Sequence, residues 1–312
     1  MRCGPEGVSQ LNRAIRVAIP FIVAALVASA CGGATSGGAK PAITIGSTNF
    51  SEQLVLGELY SQILESNGYA VTRKFNLGNR EIVFPALQSG QIDMEADYLA
   101  TLLAFVDKTA TGSTDPKATA TTLQNALTPK GVTVLDYAPA VDQNGFVVTK
   151  ATADKYKLTK LSDVAPIGSQ LVLGGPAECP NREFCALGLK NKYGITFKEF
   201  KPLDTGGPLT VQALVGGQID VALLFTSDAT IAVRGFVLLA DDKQLQLSDN
   251  VAPVVRNEYL AKAGDDFKKI VNSIAPKLTT AELTGMNKLV EVDKKDPQDV
   301  AKEWLKKQGL IK

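Results

Sequence analysis

A stretch from the first half of the chain returns almost intact in the second. Pro85-Ala-Leu-Gln-Ser-Gly-Gln-Ile-Asp93 is echoed by Gln212-Ala-Leu-Val-Gly-Gly-Gln-Ile-Asp220, and Asp93 and Asp220 stand 127 residues apart. Upstream, Ile43-Thr-Ile-Gly46 and Leu171-Val-Leu-Gly174 are short apolar runs whose closing glycines stand 128 residues apart. Two landmarks agree on one period, and 312 residues accommodate two copies with their own cores. Each copy reads as strand, glycine loop, helix, strand, helix, strand. In the first copy Asn49 or Ser51 can cap the opening helix, Leu54, Val55, Leu59, Ile63 and Leu64 form its apolar stripe, and Asn67-Gly68 ends it. Gly90 and Gly217 close the later helices.

Strands alternating with helices imply parallel pairing through right-handed crossovers, and so two α/β lobes. Ligands of such sheets bind beyond the carboxyl ends of the strands, so two facing lobes define a cleft. Tyr98 follows Asp93 by five residues and Phe225 follows Asp220 by five, which puts an aromatic ring at equivalent strand ends. Burial in the core is the other fate open to such rings.

The chain has no histidine, which removes the commonest general base and metal ligand and every Ser-His or Cys-His pair. With 33 basic and 32 acidic side chains, its net charge of +1 offers no field for nucleic acid. No phosphate-loop or metal motif stands out, so neither cofactor nor metal is expected, and 32 carboxylates select no catalytic pair by their spacing.

Arg13 and Arg16 precede an apolar run, Val17 to Ala30, of signal-peptide length. It ends in small residues before Cys31, which resembles the lipobox of bacterial lipoproteins, although Ala28 stands where leucine is usual. That resemblance implies export, lipidation of Cys31 and attachment to the outer face of the cell membrane. A secreted protein cut near the same point is the alternative. Residues 32–40 are too poor in apolar side chains to fold and read as a tether. Cys3 leaves with the signal, and Cys179 and Cys185 are expected to pair in an oxidising compartment.

Taken together, Ile45-Gly-Ser-Thr-Asn-Phe-Ser-Glu-Gln53, Leu77-Gly78, Ser89-Gly-Gln-Ile-Asp93, Tyr98-Leu-Ala-Thr101, Asp142-Gln-Asn-Gly-Phe-Val-Val148 and Phe225-Thr-Ser-Asp228 resemble the glycine betaine, choline and carnitine binding proteins of ABC importers. The likeness runs from about Pro41 to the C-terminus. It implies a two-lobed periplasmic-binding-protein fold of type II kind, acting as a monomer that hands a solute to membrane permease subunits. Lobe one would comprise residues 41–142 and 241–312, and lobe two residues 143–240. The family holds a quaternary ammonium in a cage of rings. On that pattern Tyr98 is a cage ring, Phe146 and Phe225 stand where tyrosine is common, and Phe184 supplies a fourth wall. Gln53 and Thr101 match polar contacts, and Thr226 and Asp228 follow the Phe225 wall.

Glu95-Ala-Asp97 departs from the Tyr-Pro-Glu the family often carries. Glu95 would favour a solute with extra positive charge or many hydroxyls, or else be a solvated strand-end charge. Asn49, Asp142, Asn144 and Asp228 fall on strand-end loops facing the cleft, with Asp142 to Asn144 serving as ligand contact or hinge. Thr109 to Thr114 reads as a surface loop, Asp265 to Lys312 as lysine-rich helices packing on lobe one, and Trp304 as a core anchor. An enzyme on a borrowed fold and a tethered sensor are the competing functional classes, and the missing histidines and the lipobox count against the first.

Overall fold

A computed structural model describes residues 40–312; the leader, Cys31 and the tether up to Ala39 lie outside the described residues. The first half runs β1 (Ile43–Gly46), α1 (Ser51–Ser66), β2 (Val71–Lys74), α2 (Arg80–Gln88), β3 (Met94–Tyr98), α3 (Leu99–Val106), α4 (Pro116–Leu127) and β4 (Val132–Val134). Then come β5 (Asn144–Val148), α5 (Lys150–Tyr156), β6 (Val172–Pro176), α6 (Ala186–Gly188), β7 (Glu199–Leu203), α7 (Pro208–Val215), β8 (Val221–Phe225), α8 (Thr230–Arg234) and β9 (Val237–Leu238). The chain closes with β10 (Val251–Arg256), α9 (Asn257–Asn272), α10 (Thr280–Glu291) and α11 (Pro297–Lys307).

One sheet has the order β2-β1-β3-β10-β4 and the other β7-β6-β8-β5-β9. In each, three strands of a repeat copy pair in parallel, and the fourth strand in order runs antiparallel to both neighbours. The two mixed sheets are flanked by helices, as the alternating pattern requires. The chain passes between them twice, through residues 135–143 and 239–250. The two passages run side by side: Val141 and Asn250 form an isolated antiparallel bridge, and the Asp142 amide donates to the Asp249 carbonyl at 3.1 Å.

The repeat has a physical cause at each of its positions. The Asp93 carboxylate accepts from the Thr44 amide at 2.9 Å, and Asp220 accepts from the Val172 amide at 2.9 Å, tying each third strand to its first. Ala86 and Ala213 each offer one carbonyl to two amides, of Gln91 and Ile92 and of Gln218 and Ile219. Between them Gly90 and Gly217 take φ of 75° and 67°, the left-handed turn that glycine accepts without strain. A Cβ on Gly174 would lie 2.5 Å from Ile219 and 2.9 Å from Leu203. Gly174→Ala is therefore expected to cost about 1–3 kcal/mol through overpacking, read as a lowered urea midpoint at unchanged slope.

Phe50, not Asn49 or Ser51, occupies the N-cap position of α1, and no side chain caps that helix. The expected stripe also understates its burial, because α10 and α11 cover its outer side and bury Glu58 and Gln62 as well. Trp304 lies in that core and donates its indole N–H to Glu282 at 2.8 Å. Cys179 and Cys185 are joined in a disulfide in the loop between β6 and α6. Among the described residues no helix is long and apolar enough to cross a membrane.

Candidate functional site

The carboxyl ends of β1 and β3 face those of β6 and β8 across a cavity of about 500 Å³. From the first sheet's side, the β1–α1 loop brings Thr48, Asn49 and Phe50, and α1 brings Gln53. The start of α2 brings Arg80, the end of β3 brings Asp97 and Tyr98, and α3 brings Thr101 and Phe105. Opposite them stand Asn144 at the head of β5, Phe225 at the end of β8, and the disulfide loop with Arg182 and Phe184. Asp142 and Asp249, one on each passage between the sheets, line the floor.

Eight residues expected at the cleft therefore line it: Asn49, Gln53, Tyr98, Thr101, Asp142, Asn144, Phe184 and Phe225. Four do not. Phe146 is packed in the second sheet's core, and Glu95 is fully buried in the first. Each shares its strand face with a lining residue, Asn144 or Asp97, but lies one pleat repeat further from the mouth. Asp228 is buried behind the cleft, and the Thr226 hydroxyl accepts from the Gln143 amide at 2.9 Å. The loop bearing Phe184 is fixed through its carbonyl, which accepts from Asn144 at 2.9 Å and from Gln246 at 3.0 Å.

Phe50 joins the aromatic set. Its ring stacks on Phe225 at 4.8 Å between centroids and on Tyr98 at 6.4 Å, both at 23°, so rings from the two sheets form one continuous stack. Arg182 and Glu81 also meet across the mouth at 2.8 Å, an exposed pair worth little on its own. Phe50 lay inside a motif quoted from the sequence, but as the residue before a helix it carried no local sign of facing a cavity.

Arg80 is another lining residue that pattern did not reveal. Its Nε donates to both Asp97 oxygens at 2.9 and 3.2 Å, and its Nη2 donates to Asp97 at 2.6 Å and to the Thr101 hydroxyl at 2.8 Å. Burial disfavours the guanidinium charge, but Asp97 beside it more than restores it, so its pKa lies above the usual arginine value. Burial pushes the Glu95 carboxyl well up, with the Asp97 charge adding and Arg80 opposing. The one available signal was an arginine at a helix start, against the favoured sign of charge there.

Beneath the rings, Glu52 accepts from the Tyr98 hydroxyl, the Ser227 hydroxyl and the Asn287 amide, each at 2.6 Å. Gln53 Nε2 donates to the Tyr98 oxygen at 3.1 Å, and Asp142 accepts from the Ser227 amide at 2.9 Å. Burial raises Glu52 and Asp142, the three hydrogen bonds to Glu52 opposing the first shift. Among the described residues no group of three or more His, Cys, Asp or Glu side chains is arranged to hold a metal ion.

Burial also raises Asp249 to about 7, against an unfolded aspartate near 4. Between those values the folded protein binds the extra proton, so this group's contribution to stability is full below pH about 4 and is lost as pH rises through about 7. The shift caps the change at about 4 kcal/mol. Asp249→Asn should flatten that part of the unfolding free energy between pH 4.5 and 7.5, measured by urea titration; a slope identical to the parent's would contradict the assignment.

Residues 41–307 match the profile of the substrate-binding domain of ABC-type glycine betaine transport systems. The carnitine transport binding protein of Listeria monocytogenes is 27% identical over 280 residues, 88% of this chain and 89% of that protein. The glycine-betaine-binding protein of Pseudomonas aeruginosa is 26% identical over 295 residues, 90% of this chain and 93% of that protein. An ergothioneine transport permease/ergothioneine binding protein of Helicobacter pylori is 28% identical over 279 residues, and the match spans 83% of this chain but only 46% of that longer relative. A solved structure described as a glycine betaine/carnitine/choline ABC transporter superposes with a TM-score of 0.67 at 30% identity, covering 86% of this chain and 99% of the other. The family is one of solute binding rather than catalysis. Profile, relatives and fold agree, and the chain belongs to the family of substrate-binding domains of ABC-type glycine betaine transport systems.

Proposed function

We propose that the protein captures a small quaternary-amine solute of the glycine betaine, choline or carnitine kind and delivers it to a membrane permease when its lobes close over it. The observation that carries this reading is the stack of Phe50, Tyr98 and Phe225, drawn from both sheets and meeting at the cleft. A trimethylated cation is weakly hydrated and donates no hydrogen bond from its head, so ring faces attract it by charge and dispersion where carboxylates alone would leave its methyls unpacked.

The lobes would comprise residues 41–142 with 241–312 and residues 143–240, and would hinge at the paired passages around Val141 and Asn250. Export, lipidation at Cys31, the permease partner and the monomeric state belong to the same proposal.

Calorimetric titration of the mature protein with glycine betaine, choline, carnitine and proline tests the reading. Saturable binding of at least one quaternary amine, tighter than proline, is expected; no binding of any quaternary amine would sink it.

A further inference from the structure

We propose that Glu52, which does not line the cleft, sets its hydrogen-bond polarity, so that the protein selects cationic solutes carrying an O–H or N–H donor. The inference rests on the reading of the cleft as a quaternary-amine site and narrows its substrate class.

Its logic is a count of hydrogens. Glu52 is 2% exposed and receives three groups at 2.6 Å, and Asn287 Nδ2 can only donate. The Asn287 amide is oriented independently, because the same nitrogen also faces the Ser227 carbonyl at 3.4 Å. The Tyr98 hydroxyl has one hydrogen, and the carboxylate takes it. What the Tyr98 oxygen then offers Gln53 is a lone pair, so Gln53 must turn its Nε2 toward it, at 3.1 Å. This fixes an amide orientation that geometry alone leaves open. Gln53 Oε1 is left in a buried position on the cleft wall and finds no partner among the described residues.

Asp142 Oδ2 is in the same condition at the cleft floor: buried, lining the cavity and without a partner among the described residues. Two residues on the wall of a space bounded by rings thus each hold a buried oxygen without a partner among the described residues. A buried acceptor left unpaired is costly, and one that receives a hydrogen is not. A cation that also carries a hydroxyl or an N–H satisfies such an acceptor. Glycine betaine, with three methyls on nitrogen and a carboxylate, satisfies neither.

The relay is reversible in a specific way. In Glu52→Gln the new amide can still accept from Ser227 and Asn287 through its oxygen while its nitrogen donates to the Tyr98 oxygen. Tyr98 would then donate to Gln53, whose amide turns over and presents N–H to the cleft. The side chain facing the solute is unchanged, yet its polarity is inverted.

The test compares choline with its methyl ether, which keeps the cation and loses the donor, by calorimetry on the parent protein and on Glu52→Gln. The parent is expected to bind choline about tenfold tighter or more, and the variant to lose or invert that ratio. Equal affinities in the parent overturn the proposal. So does a preference that Glu52→Gln leaves unchanged, because the bulk of the extra methyl is then its cause. Should Glu52→Gln fail to fold, Gln53→Leu serves in its place and is expected to shrink the ratio. If neither cation binds the parent, the quaternary-amine reading itself falls and takes this proposal with it.

Discussion

Replacing Asp97 by alanine is expected to cost about 3–5 kcal/mol of stability, the largest effect of any single change at the cleft. Arg80 is largely buried, at 11% side-chain exposure, and three of its four side-chain hydrogen bonds go to Asp97, itself 4% exposed. Removing the carboxylate leaves a guanidinium charge inside the protein with Thr101 as its one remaining hydrogen-bond partner among the described residues, near the buried Asp249 and Glu95 carboxyls. Glu95, fully buried and raised well above its usual range, is a poor substitute because ionising it at that depth carries its own desolvation cost. The prediction has a partner. A double replacement, Arg80→Met with Asp97→Leu, should recover most of the stability, because an apolar pair has no charge to compensate. Urea unfolding of the single and double variants distinguishes the two, and a double variant no more stable than Asp97→Ala would show that the ion pair is not the cause.

Truncating Phe225 to alanine carries the largest expected effect on binding: a loss of about 2 kcal/mol, roughly thirtyfold in affinity for a quaternary amine. Phe225 is the second sheet's contribution to the ring stack and touches Phe50 from across the cleft. Losing it removes a cation-facing surface and also the ring contact that brings the two walls together. Because Phe225 is only partly buried, the fold should tolerate the change. Phe225→Tyr, which keeps the ring face, is expected to remain within threefold of the parent in a calorimetric titration. Alanine and tyrosine variants of equal affinity would remove Phe225 from the site.

The lobes were legible because their cause is local. Ile92 against Gly46, the Asp93 carboxylate on the Thr44 amide and the left-handed Gly90 all leave a mark on residue type, and each recurs with Ile219, Asp220 and Gly217. The cleft was partly legible for a related reason: strand ends are predictable, and Tyr98 and Phe225 mark two of them. Phe146 and Glu95 were expected at the cavity from the resemblance, which matches positions along a strand but does not fix their depth, and both lie below it. Arg80, Phe50 and Glu52 escaped notice because their roles depend on partners distant in sequence. Arg80 needs Asp97 on another element, Phe50 needs Phe225 on the other sheet, and Glu52 needs Ser227 and Asn287 from two further parts of the chain.

The central claim is that rings at a cleft between two lobes hold a cationic head group. Its most direct measurement compares choline with its neutral isostere, in which carbon replaces the nitrogen and shape is preserved. Calorimetry should find the cation bound about tenfold tighter or more, with the advantage reduced in Phe225→Ala. An isostere bound as tightly as choline would show that the cleft reads shape and apolar surface rather than charge, and would contradict the account.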